Sequence, residues 1–151
     1  MEIVEFAPDH APAFKALNEA WISKYFAIEA KDREVLDDPY GAIVAKGGRI
    51  FMAFKDDEPV GCVALIAMPD GGYEVAKMTV VETLRGSGLG RTLMQRCIEA
   101  GAEAGAHRLY LETNSGLAPA LGLYRTMGFT DVAAPDHNDY ARGDVWMERR
   151  Y

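Results

Sequence analysis

Apolar side chains at Phe14, Leu17, Trp21, Ile22 and Tyr25 recur at near-helical spacing, which predicts a helix over Pro8–Ala27 with Pro8 and Asp9 where its first turn would begin. After a polar stretch the period changes. Arg49–Phe54 and Pro59–Ala67 read as strands joined by the turn Lys55-Asp56-Asp57-Glu58. Asp70-Gly71-Gly72 supplies the glycines of a tight hairpin, so Tyr73–Val81 should return antiparallel as the third strand of a meander. Next comes Arg85-Gly86-Ser87-Gly88-Leu89-Gly90-Arg91, then a helix whose Leu89, Leu93, Met94, Cys97 and Ile98 share one face and which Gly105 is placed to end. A strand at Arg108–Thr113, a short helix at Pro119–Met127 closed by Gly128, and a last strand around Asp144–Arg149 complete the pattern. The order βα, βββ, αβ, αβ predicts a mixed sheet with helices packed on it, an α/β (α+β) fold, with no repeat or linker to divide it.

With 151 residues, 49% hydrophobic and 26% charged, the chain has the composition of one domain with a core large enough to need no disulfide or structural metal. Cys62 and Cys97 stand 35 apart and outside any C-x-x-C, so a reducing cytoplasm is the expected compartment. The longest apolar run, Cys62–Met68, is far short of a membrane span, and the acidic Met1–Phe6 start is unlike a secretion leader. The net charge of −7 argues against wrapping nucleic acid, whose binding rests on neutralised phosphates. The charge is also uneven: residues 1–75 hold 14 acids and 7 bases, residues 76–151 hold 9 of each, eight of those bases being Arg. The second half thus suits a compact anion, and the first half suits a cationic partner or simply keeps the surface soluble. His10, His107 and His137 share no metal-ligand spacing, so no metal is expected.

Glycines at 86, 88 and 90 directly before a helix free backbone N–H groups at its positive end, an arrangement suited to phosphate. Two nucleotide motifs fail on spacing. A Walker A loop would need Gly where Arg85 stands and Lys at Arg91, and the dinucleotide fingerprint would need Gly at position 91. A bare glycine turn without a ligand stays open on this pattern alone.

Arg85-Gly86-Ser87-Gly88-Leu89-Gly90 resembles the R-x-x-G-x-G/A signature of the GNAT family of N-acetyltransferases. Met78-Thr79-Val80 resembles that family's fourth strand, and Leu123-Tyr124-Arg125-Thr126-Met127-Gly128-Phe129 its L-Y-x-x-x-G-F segment, in the family's order. The resemblance covers residues 49–149 and implies a twisted mixed sheet of six to seven strands, splayed between the fourth and fifth, with helices on both faces. It divides a single 1–151 domain into an acetyl-coenzyme A-binding core at 49–149 and an acceptor-side region at 1–48. The activity implied is acetyl transfer from acetyl-coenzyme A to a primary amine, with a non-catalytic acyl-coenzyme A sensor on the same scaffold as the alternative.

By that resemblance Met78, Thr79 and Val80 form the cofactor-facing strand, the backbone of Met78 and Val80 pairing with pantetheine as an added strand would. The N–H groups of Arg85, Gly86, Ser87, Gly88, Leu89, Gly90 and Arg91 cradle the pyrophosphate, with the Arg91 side chain as a contributor. An alkyl amine is protonated at neutral pH and needs a base. Glu74, six residues before Val80, matches one family position for it, and Glu112, twelve before Tyr124, matches another. Tyr124 matches the general acid that protonates the departing thiolate, and a backbone N–H near Val80 is the candidate oxyanion donor. The pattern departs where many members carry Asn, since Leu117 stands there, leaving Asn114 as the candidate side-chain contact. Trp21, Tyr25, Phe26, Glu29 and Asp32 either line an acceptor pocket for a cationic amine or belong to core and solvated surface. The edge strands of such a sheet also offer a homodimer surface.

Overall fold

A computed structural model describes residues 1–136 and 140–151. Seven strands form one mixed sheet in the order β1-β2-β3-β4-β5-β7-β6. They are β1 Glu2–Glu5, β2 Arg49–Lys55, β3 Glu58–Ala67, β4 Tyr73–Val80, β5 Arg108–Thr113, β6 Thr130–Val132 and β7 Val145–Arg150. Among the described residues five α-helices accompany them: α1 Ala11–Tyr25, α2 Ala30–Leu36, α3 Pro39–Ala42, α4 Leu89–Glu103 and α5 Ala118–Thr126. Among the described residues no helix is long and apolar enough to cross a membrane.

The meander follows from its turns. Asp56 and Asp57 both adopt left-handed backbone, φ 51° and 65°, which joins β2 to β3 with the twist a two-residue hairpin prefers. Gly71, at φ 87°, allows the turn within the five-residue β3–β4 connection. The β2 and β3 sequences read as nearly unbroken apolar runs because both faces are covered. Phe51, Ala53, Val63 and Leu65 pack with Leu93, Met94 and Cys97 of α4. Ile50, Met52, Cys62 and Ala64 face Phe14 and Ile22 of α1 and Val35 and Leu36 of α2. Gly105 closes α4 as expected: its φ of 73° lets its own N–H reach Ala102 and the Ala106 N–H reach Gly101, capping two orphan carbonyls.

The helix expected at Pro8–Ala27 is shorter, since Pro8–His10 form a single 3-10 turn and α1 starts at Ala11. The polar stretch after it holds two further helices. Glu29 and Asp32 box the start of α2, and the Asp38 carboxylate accepts from the Gly41 N–H at the start of α3. Neither carries enough helical periodicity to be read from sequence. The three-residue β6 was likewise unexpected; it exists by pairing with β7 at Thr130–Glu148 through Val132–Trp146.

The feature that positions the site is the seam between β4 and β5. These parallel strands pair only at Tyr73–Leu109 and Glu74–Tyr110, after which they diverge. The remainder of β4 keeps β3 on one side and opens a gap on the other.

Candidate functional site

Along β4 the register slips: Cys62 faces Thr79 but Ala64 faces Ala76, so Val63 opposes two residues and Lys77 takes a left-handed φ of 55°. The Cys62 thiol donates to the Lys77 carbonyl that the bulge removes from the ladder, at 3.4 Å. Beyond the bulge the Val81 N–H bonds the Val60 carbonyl on β3. Backbone direction alternates along a strand, so the N–H and C=O groups of Met78 and Val80 turn the other way, into the gap. The Thr79 side chain is buried on the α1 side, where its hydroxyl donates to Asn18 Oδ1 at 2.9 Å.

The glycine loop continues this edge. Gly86 and Gly88 adopt φ of 78° and 93°, and an added Cβ at either would meet nothing within 4 Å, so the loop is both left-handed and open. The N–H groups of Gly90 and Arg91 belong to the first turn of α4, which has no helical carbonyls to bond. Oriented amides and a helix N-terminus around open space form a site for a compact anion, so the residues fit a pyrophosphate. The Ser87 Oγ accepts from the Leu89 N–H at 3.4 Å. The Arg85 guanidinium lies over the Tyr25 ring and donates to its phenol oxygen, which holds that phenol below its ordinary range. Arg91 is exposed and lies outside the cleft lining.

Loop, β4 edge and β5 enclose a cleft of about 600 Å³. It brings together Glu74, Met78, Val80, Arg85, Gly86, Gly88, Leu89, Gly90, Glu112, Asn114 and Tyr124. Burial pushes the Tyr124 phenol up to about 12, so it keeps its proton across the neutral range. Asn114 is already engaged: its amide donates to the Arg142 carbonyl at 2.6 Å, and its Oδ1 accepts from the Gly116 N–H at 2.8 Å. Trp21 and Phe26 line the cleft with ring centroids 5.9 Å apart, while Tyr25 stays outside it. A second cavity of about 1030 Å³ opens on the α2–α3 side. Glu74, Glu112 and Tyr140 are the residues lining both spaces, so the two carboxylates stand on the border between them.

Asp32 and Glu29, the two acids expected at an acceptor pocket, are already engaged by cations of the chain itself. Asp32, fully buried, accepts from Lys77 Nζ at 2.6 Å, from the Arg142 fork at 2.8 and 2.9 Å and from the Glu29 N–H at 2.8 Å. Burial by itself would raise this carboxyl, but the bonds from Arg142, Lys77 and Glu29 outweigh it and hold the group well below the usual carboxylate range. The Glu29 carboxylate pairs with Arg142 at 3.2 Å and accepts from the Ala141 N–H at 2.9 Å. Lys77, Tyr140, Arg142 and Gly143 all line the cleft, and none was singled out from the sequence. The one signal was a lysine in the middle of β4; nothing local marks Arg142. His10 serves the chain itself, its Nδ1 accepting from the Ala7 N–H at 3.0 Å, and His107 lies 3.6 Å from Asp70. His137 falls outside the described residues.

The chain matches the model of the Acetyltransferase (GNAT) family over residues 13–129. It is 39% identical over 84 residues to an IAA acetyltransferase of Azospirillum brasilense, 55% of each chain. It is also 39% identical over 111 residues to the uncharacterized N-acetyltransferase YjgM of Escherichia coli, 72% of this chain and 63% of that one. The chain therefore spans between 55% and 63% of the length of these two curated relatives. Among solved structures, a GNAT-family acetyltransferase from Staphylococcus aureus superposes with a TM-score of 0.90 at 18% identity, covering 99% of this chain and 98% of that one. An aminoglycoside 6'-N-acetyltransferase complexed with coenzyme A superposes at 0.76 with 19% identity, covering 99% and 97%.

Proposed function

Because the chain belongs to the GNAT family of acetyltransferases, we propose that it moves an acetyl group from acetyl-coenzyme A to a primary amine by direct attack within a ternary complex. The observation that supports this reading is that Glu74 and Glu112 border two cavities at once, one lined by the glycine loop and the other on the α2–α3 side. Two reactants entering from opposite ends would meet at a pair of carboxylates.

In this reading the loop amides from Arg85 to Arg91, with Ser87 among them, hold the pyrophosphate. The backbone of Met78 and Val80 takes the pantetheine arm, Thr79 anchors the strand between them against Asn18, and Leu89 and Asn114 bound the arm's path. The bound thioester supplies an activated acetyl group. Glu74 or Glu112 accepts the proton of the attacking amine, and Tyr124 gives its proton to the leaving thiolate. A phenol raised by burial to about 12 stays protonated through the neutral range, so it arrives with the proton it is to give. Both cysteine thiols are buried and pushed up to about 12, so neither offers a thiolate to carry the acetyl group, which favours direct transfer over a covalent intermediate.

The test has two readings. Acetyl-coenzyme A at a hundred times its dissociation constant should stabilise the fold by about 2.7 kcal/mol, seen as a rise in melting temperature. Thiol release with a panel of primary amines then separates enzyme from sensor. Binding with product establishes the proposal; binding without product on any amine favours the sensor; no binding removes both.

A further inference from the structure

Residues 140–143 run along the cleft wall as a strap, fastened by side chains from three separate parts of the chain. The Tyr140 phenol oxygen accepts from Lys77 Nζ at 3.0 Å. The Ala141 N–H and the Arg142 guanidinium bind Glu29, and the Arg142 carbonyl accepts from Asn114. Gly143 lies so close to the Glu112 carboxylate that any side chain there would collide with it.

At the centre of these attachments is Asp32. It is wholly buried, and Lys77, whose side chain is 4% exposed, and Arg142 both end on it. Taking such charges out of water is expensive, and apolar residues would fill the same volume with no such penalty. What the ions supply is geometry: a bidentate fork fixes the plane of the guanidinium, and a short ammonium bond fixes the end of Lys77 beneath Tyr140. The β4 bulge aims Lys77 at this point through a left-handed backbone that a lysine rarely adopts. Two cations, Lys77 and Arg142, meet two anions, Asp32 and Glu29, so the wall they build carries no net charge.

We infer that Asp32 is a positioning residue for the acceptor: acting through Lys77 and Arg142, it holds Tyr140 and Gly143 as the wall that shapes the junction of the two cavities. This rests on the acetyl-transfer reading, because the junction is where an amine would reach Glu74 and Glu112.

The test is Asp32→Asn, which keeps the shape and removes the charge that both cations end on. Initial rates are read with whichever of tyramine, spermidine or phenylalanine amide the wild type acetylates fastest, together with amide hydrogen exchange. The expected result is a KM for the amine raised at least tenfold and exchange at residues 140–144 accelerated at least tenfold. The KM for acetyl-coenzyme A and the exchange of α4 should stay within twofold. An amine KM and strap exchange both within twofold of wild type would overturn the inference, as would equal losses for both substrates, the mark of general destabilisation. Should Asp32→Asn fail to fold, Arg142→Gln, on the half-buried strap, carries the same expectations. A wild type that acetylates no amine removes the transfer reading, while the exchange measurement still decides whether Asp32 holds the strap.

Discussion

Where the cleft runs along β4 and the glycine loop, the groups that face it are backbone amides and carbonyls supplied by residues within about a dozen positions of one another. Where it is closed by residues 140–143, the groups are side chains, tied to Asp32 and Glu29 more than a hundred residues away. The first wall is built from what glycine and a helix start do anywhere. The second is built from charges that have no meaning until the fold brings them together. A backbone-built wall tolerates side-chain change and fails when the chain path is blocked; a charge-built wall fails when one member is neutralised.

This contrast can be broken most sharply at Gly88. Gly88→Glu puts a side chain at φ 93° and a negative charge where the phosphates would sit, and should abolish the acetyl-coenzyme A-dependent rise in melting temperature while the variant still folds. A retained rise would disconnect the loop from the cofactor. Next in size are the two carboxylates: Glu74→Gln or Glu112→Gln, whichever removes the base, should lower kcat/KM by about 10²- to 10⁴-fold. The other should change it by no more than a few-fold, and side-by-side rates assign the role. Tyr124→Phe should lower kcat by about 10²-fold with acetyl-coenzyme A binding within twofold. In the wild type, with the phenol held near 12, no loss of kcat assignable to its deprotonation should appear up to pH 10.

The smallest effect sharpens the second wall. The Asp32 carboxyl is held below its unfolded value, so its contribution to stability is fully present above about pH 4 and is lost as pH falls toward the folded value. Melting temperatures of wild type and Asp32→Asn should therefore converge at low pH and separate above about pH 4; a constant gap would show that the carboxylate charge is not what holds the knot.

The same contrast explains what could be read in advance. The meander, α4 with its Gly105 end, β5 and α5 follow from periodicity and turn chemistry, and the loop from three glycines; all are local. The helices at 30–36 and 39–42 were not legible, because each is too short to show a period and each exists through a cap and a buried flank, Val35 and Leu36 for the first. From sequence Asp32 reads as an acid either at an acceptor pocket or on solvated surface, and its charge is instead consumed by Lys77 and Arg142. No property of residue 142 alone announces a partner at residue 32. Glu74 and Glu112 could be named as candidates from spacing, but only the divergence of β4 from β5 puts both at one junction.

That divergence also bears on how the molecule comes apart. With two residue pairs as the only rungs between β4 and β5, the sheet is two panels, β1–β4 and β5–β7–β6, sharing a short hinge line. Cooperativity in a sheet passes through its rungs, so the two panels are coupled less by the sheet than by α4 across one face and the Asp32–Arg142 ion pair on the other. An extended molecule lying in the gap and bonding to β4 would act as the missing rungs. Its arrival would do more than occupy a site: it would couple the two panels more tightly, and slowed exchange in β5 and β7 would report a cofactor that touches mainly β4.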